Sequence, residues 1–356
     1  MKPRIDRRSF LQTGLTGLAG TFIVPAFLKS ASGNAWAAAG TPAGATGFLE
    51  RFQVTEAMIR EVMAEALSRG GDYCDLYFQH TIGHSIGLED KEVNRAYGDI
   101  AYGVGIRVLK GDQTGYSFTE AITLPAMKLA AATAAAVAVG SAANAPASLE
   151  MRPHPEYATV EIPWEGMEIA RKIPVLQEIN DRVFRLDTAV IKCRIRFIDE
   201  TSHVLIATSE GRMVTDTRVM TGVNVSCTAE KNGRREENGF GVFGRRGFEL
   251  FGPDNRERIA SEAVRRTLAL FEAEKPSGGE MEVVLAPGSS GILLHEAIGH
   301  GMEADFNRKS ISIFSDLIGK PVAQPFVSIV DDGTLPNARG SLNVDDEGND
   351  TQKTFL

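Results

Sequence analysis

His295 and His300 stand five positions apart with Glu296 directly after the first, and no other feature constrains the fold of this chain so tightly. The stretch reads Gly291-Ile-Leu-Leu-His295-Glu296-Ala-Ile-Gly299-His300-Gly301-Met-Glu303 and holds two of the six histidines. In a zinc-peptidase helix of pattern H-E-x-x-H, the two histidines lie four apart and share a face. Here the pattern is H-E-x-x-x-H. On a regular α-helix five residues turn by about 500°, which leaves the rings about 140° apart and unable to share a metal. Either a π-bulge absorbs the extra residue, or the helix ends so that His300 swings back. Gly299 and Gly301 flank His300, where such a distortion is easiest. The spacing therefore predicts a metal site whose condition is a distorted helix.

The chemistry of such a site is specific. Neutral imidazoles suit Zn²⁺, and a catalytic zinc keeps one position open for water. Glu296 is placed to accept that water's proton and to pass it to a leaving amine. The plain alternative is a buried helix whose histidines are only hydrogen-bonded. Leu293, Leu294, Ala297 and Ile298 supply an apolar face to hold the helix in a core.

His295-Glu296-Ala-Ile-Gly-His300-Gly-Met-Glu303-Ala-Asp305-Phe-Asn-Arg308 is followed by Val330-Asp331-Asp332-Gly333 and Asp345-Asp346-Glu347-Gly348. Together these closely resemble the TldD/PmbA family of zinc metallopeptidases, from about residue 50 to the last residue and most strongly after Gly279. The match is to the TldD branch, which carries H-E-x-x-x-H; the PmbA (TldE) branch lacks it. The resemblance implies that His295 and His300 ligate Zn²⁺ and that Glu296 is the catalytic base. It implies a cysteine far towards the C-terminus as third ligand, with no counterpart here because the chain stops first. It also implies a heterodimer with a PmbA/TldE-type partner.

Composition sets the outer bounds. With 356 residues, 43% of them hydrophobic, the chain can bury two or three ordinary cores. A net charge of −8 and the absence of basic clusters beyond short pairs such as Arg234-Arg235 and Arg245-Arg246 argue against a nucleic-acid binder. Cys74, Cys193 and Cys227 show no CxxC spacing and read as small buried residues.

The N-terminus reads as an address. Asp6-Arg7-Arg8-Ser9-Phe10-Leu11 resembles a twin-arginine export motif. The apolar run Gly14–Leu28 is too short to span a bilayer, and Ala35–Ala39 offers small-residue cleavage sites. An exported, periplasmic or extracytoplasmic protein without a stable membrane anchor is expected.

Beyond the Gly/Ala-rich lead-in at residues 40–48, a helix is predicted from the N-cap Thr55 to Ser68, ended by Gly70-Gly71. Short strands follow at Cys74–Gln79, Ser85–Leu88 and Ala101–Leu109, with a turn at Lys110-Gly111-Asp112. Alanine-rich Pro125–Val139 reads as a covering helix and Ala142–Pro155 as a junction. A helix over Val175–Leu186 precedes strands at Ile191–Ile198, His203–Thr208, Met213–Thr217 and Val219–Ala229. Lys231–Gly247, polar and glycine-rich, reads as a loop, and a helix runs from Pro253-Asp254 to about Glu274. Strands are expected at Glu282–Ala286 and Pro325–Val330, and Thr354–Leu356 looks like the start of another. His80, His84, His154 and His203 read as surface or satisfied core residues, with a metal role for His80 and His84 as the lesser alternative.

The expectation is an α+β protein of helix-covered, largely antiparallel or mixed sheets, followed by the start of a β-rich metallopeptidase domain. Residues 1–39 form a twin-arginine signal peptide, 50–141 an N-terminal domain and 156–275 a central domain. Residues 280–356 open a metallopeptidase domain, in a C-terminally truncated chain. The expected function is zinc-dependent hydrolysis of extended or unfolded peptides, the fragment alone being inactive. The alternative is a metal- or peptide-binding subunit without catalysis. The third ligand discriminates them, and Glu303, three residues after His300, could in principle supply a carboxylate.

Overall fold

A computed structural model describes residues 45–141 and 144–356; the expected signal peptide lies outside the described residues. Helix α1 (Ala45–Phe52) leads into α2 (Glu56–Leu67), whose N-cap is Thr55 with its Oγ1 accepting the Met58 N–H at 3.2 Å. The stripe Ile59, Val62, Met63, Ala66 and Leu67 recurs at three- and four-residue spacing, so one face of α2 is wholly buried.

The expected short strands merge into long ones. Strand β1 spans Tyr73–Glu89, β2 Glu92–Lys110, β3 Gln113–Thr119, β5 Val190–Thr208 and β6 Arg212–Lys231. With β4 (Glu150–Met151) they form one sheet in the order β3-β2-β1-β5-β6-β4, antiparallel except where β4 runs parallel to β6. The β1–β5 ladder joins the N-terminal and central regions of the sequence into a single sheet.

Lys231–Gly247 is a correction to the sequence reading. It is not a loop: Arg234–Gly244 forms β7, a hairpin partner of β6. The turn residues Asn232 and Gly233 both have positive φ, the requirement of a tight two-residue hairpin turn. Glu282–Ala286 is a second correction. It forms no strand, and Val284 is 95% exposed. Helix α5 (Pro253–Ala269) also stops earlier than the pattern suggested, and α4 (Ile169–Leu186) starts earlier, with Pro174 near its first turns. The β-rich start expected for residues 280–356 is represented by two three-residue strands, β8 (Val330–Asp332) and β9 (Lys353–Phe355), which pair with each other.

One face of the sheet carries two apolar cores. In the first, α2 and α3 (Leu124–Ala134) pack on Leu76, Phe78, Val104, Ile106 and Leu205. In the second, α4 and α5 pack on Ile86, Leu88, Ile195, Phe197 and Val223. Between them the cross-strand pairs turn polar: His80 faces His203, Ile82 faces Thr201 and His84 faces Asp199. On the opposite face Val204, Ile206 and Val214 bury Val344. The segment around Val344 is held there by Arg218 to Asp346 (2.9 Å), Asn343 to Asp216 (2.9 Å) and Arg245 to the Ser341 carbonyl (3.0 Å).

Candidate metal centre

The helix carrying the histidines is distorted where the spacing required it. Ser290–Leu294 is α-helical, His295–Gly299 makes a π turn, and His300–Met302 resumes the α form. The His300 N–H bonds the His295 carbonyl, an i to i+5 bond that absorbs the extra residue. The two imidazoles are brought to 4.3 Å between ring centroids. One ligand atom from each of His295, Glu296 and His300 lies within 4.8 Å of the others, the one such cluster of histidine, cysteine or acidic residues among the described residues. Two neutral imidazoles are ligands that suit zinc, and Glu296 stands beside them where a base is needed, so the residues present fit the ion their pattern implies. All three side chains are exposed. So are Leu293, Leu294 and Ala297, which the sequence reading placed in a core.

The segment after the π turn is tightly organised. Glu303 leaves helical geometry (ψ 134°) and its Oε1 lies 2.7 Å from His300 Nδ1. The Asn307 amide donates to the carbonyls of Gly301 (2.9 Å) and Glu303 (2.8 Å). Ser312 Oγ bonds the same Gly301 carbonyl at 2.5 Å, and the Phe314 ring sits where a Gly301 Cβ would be, 2.6 Å from it. Only glycine fits there without moving Phe314. Arg308 pairs with Asp112 in the turn between β2 and β3, which ties this segment to the sheet.

The other motif residues build turns. Asp332 Oδ1 accepts from Thr334 N (2.9 Å) and Oγ1 (2.6 Å), and these bonds hold its carboxyl below the usual range. Asp345 Oδ1 accepts the backbone N–H groups of Glu347 and Asn349, both at 2.9 Å. Cys74, Cys193 and Cys227 are buried in the sheet, away from the cluster, and burial pushes the Cys74 and Cys193 thiols up to about 12. Cys193 and Cys227 face each other across β5 and β6.

Sequence reasoning missed the polar seam between the two cores. Lys172, from α4, reaches Asp199 Oδ2 at 2.6 Å, and His84 Nδ1 lies 2.9 Å from both Lys172 Nζ and Asp199 Oδ1. Further along, Glu165 accepts from Arg51 at 2.9 Å and approaches His203 Nε2 at 3.6 Å. His203 and Arg51 together hold the Glu165 carboxyl down to about 2 against the opposing effect of burial. The His203 contact is too long for a hydrogen bond, so the Arg51 bond is the firmer support. Their separations in sequence, 27 to 115 residues, left no local signal; only the pairing of β1 with β5 brings these groups together.

Three family models match: "PmbA/TldA metallopeptidase domain 1" over residues 74–138, the central domain over 162–271 and the C-terminal domain over 278–356. The chain is 37% identical over 296 residues to a "Metalloprotease TldD homolog" of Haemophilus influenzae, a match covering 81% of this chain and 61% of that protein. It thus spans about three-fifths of the length of the curated relatives it matches. Among solved structures, a Thermotoga maritima protein described as a candidate modulator of a DNA gyrase superposes with TM-score 0.69. That likeness, at 19% identity, covers 84% of this chain and 68% of that one. TldE from Thermococcus kodakarensis gives 0.61 at 17% identity, covering 85% and 66%. At such identities the likeness establishes the fold.

Proposed function

Since the chain belongs to the TldD/PmbA family of metallopeptidases, we propose that it is the metal-bearing, TldD-type subunit of a zinc-dependent peptidase. The observation that carries this reading is the π turn, which converges His295, Glu296 and His300 despite a spacing that a regular helix would splay. His295 and His300 would hold the ion. When bound, zinc supplies a Lewis acid for a peptide carbonyl and lowers the pKa of the attacking water. Glu296, one residue from a ligand and 3.9 Å from His300 Nε2, would act as the base, accepting a proton from the attacking water and passing it to the leaving amine. The substrate class is extended or unfolded peptide. A PmbA/TldE-type partner fits the family and the fold likeness to TldE.

The test is Glu296→Gln in the full chain, assayed with its partner subunit present. The variant should retain its zinc while peptidase activity falls at least 100-fold, the low end of general-base contributions, because an amide cannot take the proton. Cleavage by the variant at the wild-type rate would remove Glu296 from that role. Undiminished zinc in His295→Ala/His300→Ala would place the metal elsewhere.

A further inference from the structure

We infer that Glu303 is a positioning residue for His300 and not itself a metal ligand. The inference rests on the metallopeptidase reading and concerns which carboxylate does what. Three residues after His300, Glu303 was the nearest candidate to complete the ligand set. The structure puts it on the other side of the imidazole. Its Oε1 lies 2.7 Å from His300 Nδ1, whereas the opposite nitrogen, Nε2, is the one that approaches Glu296. Glu303 is also absent from the set of residues whose ligand atoms converge.

A carboxylate only accepts hydrogen bonds, so at 2.7 Å His300 Nδ1 must be the protonated nitrogen. The lone pair of the neutral ring is then on Nε2, the atom 3.9 Å from Glu296 Oε2. Glu303 thereby fixes both the tautomer and the rotation of the ring, which is how a carboxylate behind a histidine raises its quality as a ligand.

The backbone is built to keep Glu303 there. The helix breaks at this residue, so its side chain can fold back along the last turn. The Asn307 side chain then clamps the break by bonding the carbonyls of both Gly301 and Glu303. A ligand carboxylate would need the freedom to reach across the ring to the ion. This one is already engaged.

Co²⁺ alone serves as the probe, added to the full chain carrying Glu303→Gln or Glu303→Ala. A glutamine oxygen still accepts from Nδ1, and alanine offers nothing. Co²⁺ affinity should therefore fall in the order wild type, Glu303→Gln, Glu303→Ala, with a total loss of about 10- to 100-fold. The ligand-field absorption bands should keep their positions in both variants, because no ligand has been removed. In the metal-free chain, the ¹⁵N shifts of His300 should report a protonated Nδ1 in the wild type and mixed tautomers in Glu303→Ala. Unchanged affinity in Glu303→Ala would overturn the inference. Shifted bands in Glu303→Gln would also overturn it, by making Glu303 a ligand. A wild-type chain that binds no Co²⁺ would instead count against the metal reading, and the tautomer measurement would still decide the role of Glu303.

Discussion

Lys172 Nζ stands 2.6 Å from Asp199 Oδ2, and each of these side chains is only 1% exposed. Burial lowers the lysine pKa, and the Asp199 carboxylate opposes that fall. The ammonium also lies 5.0 Å over the Trp164 ring. The pair pins α4 to the middle of the sheet, at the edge of the second apolar core that Trp164 belongs to. Such a pair is weak evidence for net stability, since two desolvated charges repay their own cost at best. Its consequence is for register: α4 can shift along β5 only by stranding a charge.

Breaking the pair from one side should therefore be severe. Lys172→Met leaves Asp199 buried without its strong partner and should destabilise by roughly 3–5 kcal/mol. The double variant Lys172→Met/Asp199→Leu should recover much of that loss, because an apolar pair needs no partner. Urea unfolding of the three proteins tests this. A Lys172→Met midpoint equal to wild type would show that His84 alone satisfies Asp199.

Glu165 gives the seam a pH dependence with a defined sign. Its folded pKa, near 2, lies below the value of about 4.3 expected in an unfolded chain. A depressed carboxyl contributes stability that is fully present above the unfolded value and is lost as pH falls towards the folded one. Glu165→Gln should remove that dependence, flattening stability between about pH 4.5 and 2. The effect should be roughly 1–2 kcal/mol, the nominal shift being discounted because the side chain is 26% exposed. Parallel acid-unfolding curves for wild type and variant would assign the low-pH sensitivity to other groups.

What was legible in the sequence was what local periodicity encodes. Thr55 announced the start of α2, and the alternation in Ile191–Ile198 announced β5. The spacing of His295 and His300 announced the distortion that the helix contains. β7 was hidden because its first half, Arg234–Asn238, is wholly polar and Gly241 separates Phe240 from Val242 and Phe243, so an edge strand shows no continuous apolar row. The merging of short strands was hidden by Gly83 and His84, which interrupt the apolar pattern of β1. Those polar positions have a use that only the tertiary pairing reveals, since His84 meets Asp199 and Lys172. Glu282–Ala286 failed in the opposite direction: an apolar run suggests a strand, but here it lies exposed and unpaired in the ladder.

The π turn itself can be tested by changing the length of the segment it spans. If its role is to absorb one residue, deleting Gly299 converts H-E-x-x-x-H into H-E-x-x-H. A regular α-helix would then stack the two histidines four apart, as it does in the shorter pattern. The deletion removes a glycine, the poorest helix former apart from proline, so the α form should be favoured locally. Zinc affinity should stay within about tenfold of wild type, the remaining loss reflecting a displaced Glu303 and the strain passed to Gly301 and Phe314. Inserting one alanine after Ile298 has the opposite consequence. Six residues turn about 600° on an α-helix, and a single π turn cannot close the gap. That variant should lose zinc as completely as His300→Ala while keeping the stability of the sheet, whose cores lie elsewhere in the chain. Isothermal titration with zinc and urea unfolding separate the two effects. Equal zinc affinity in the insertion and deletion variants would show that the segment adapts freely and that the π turn is incidental to the site.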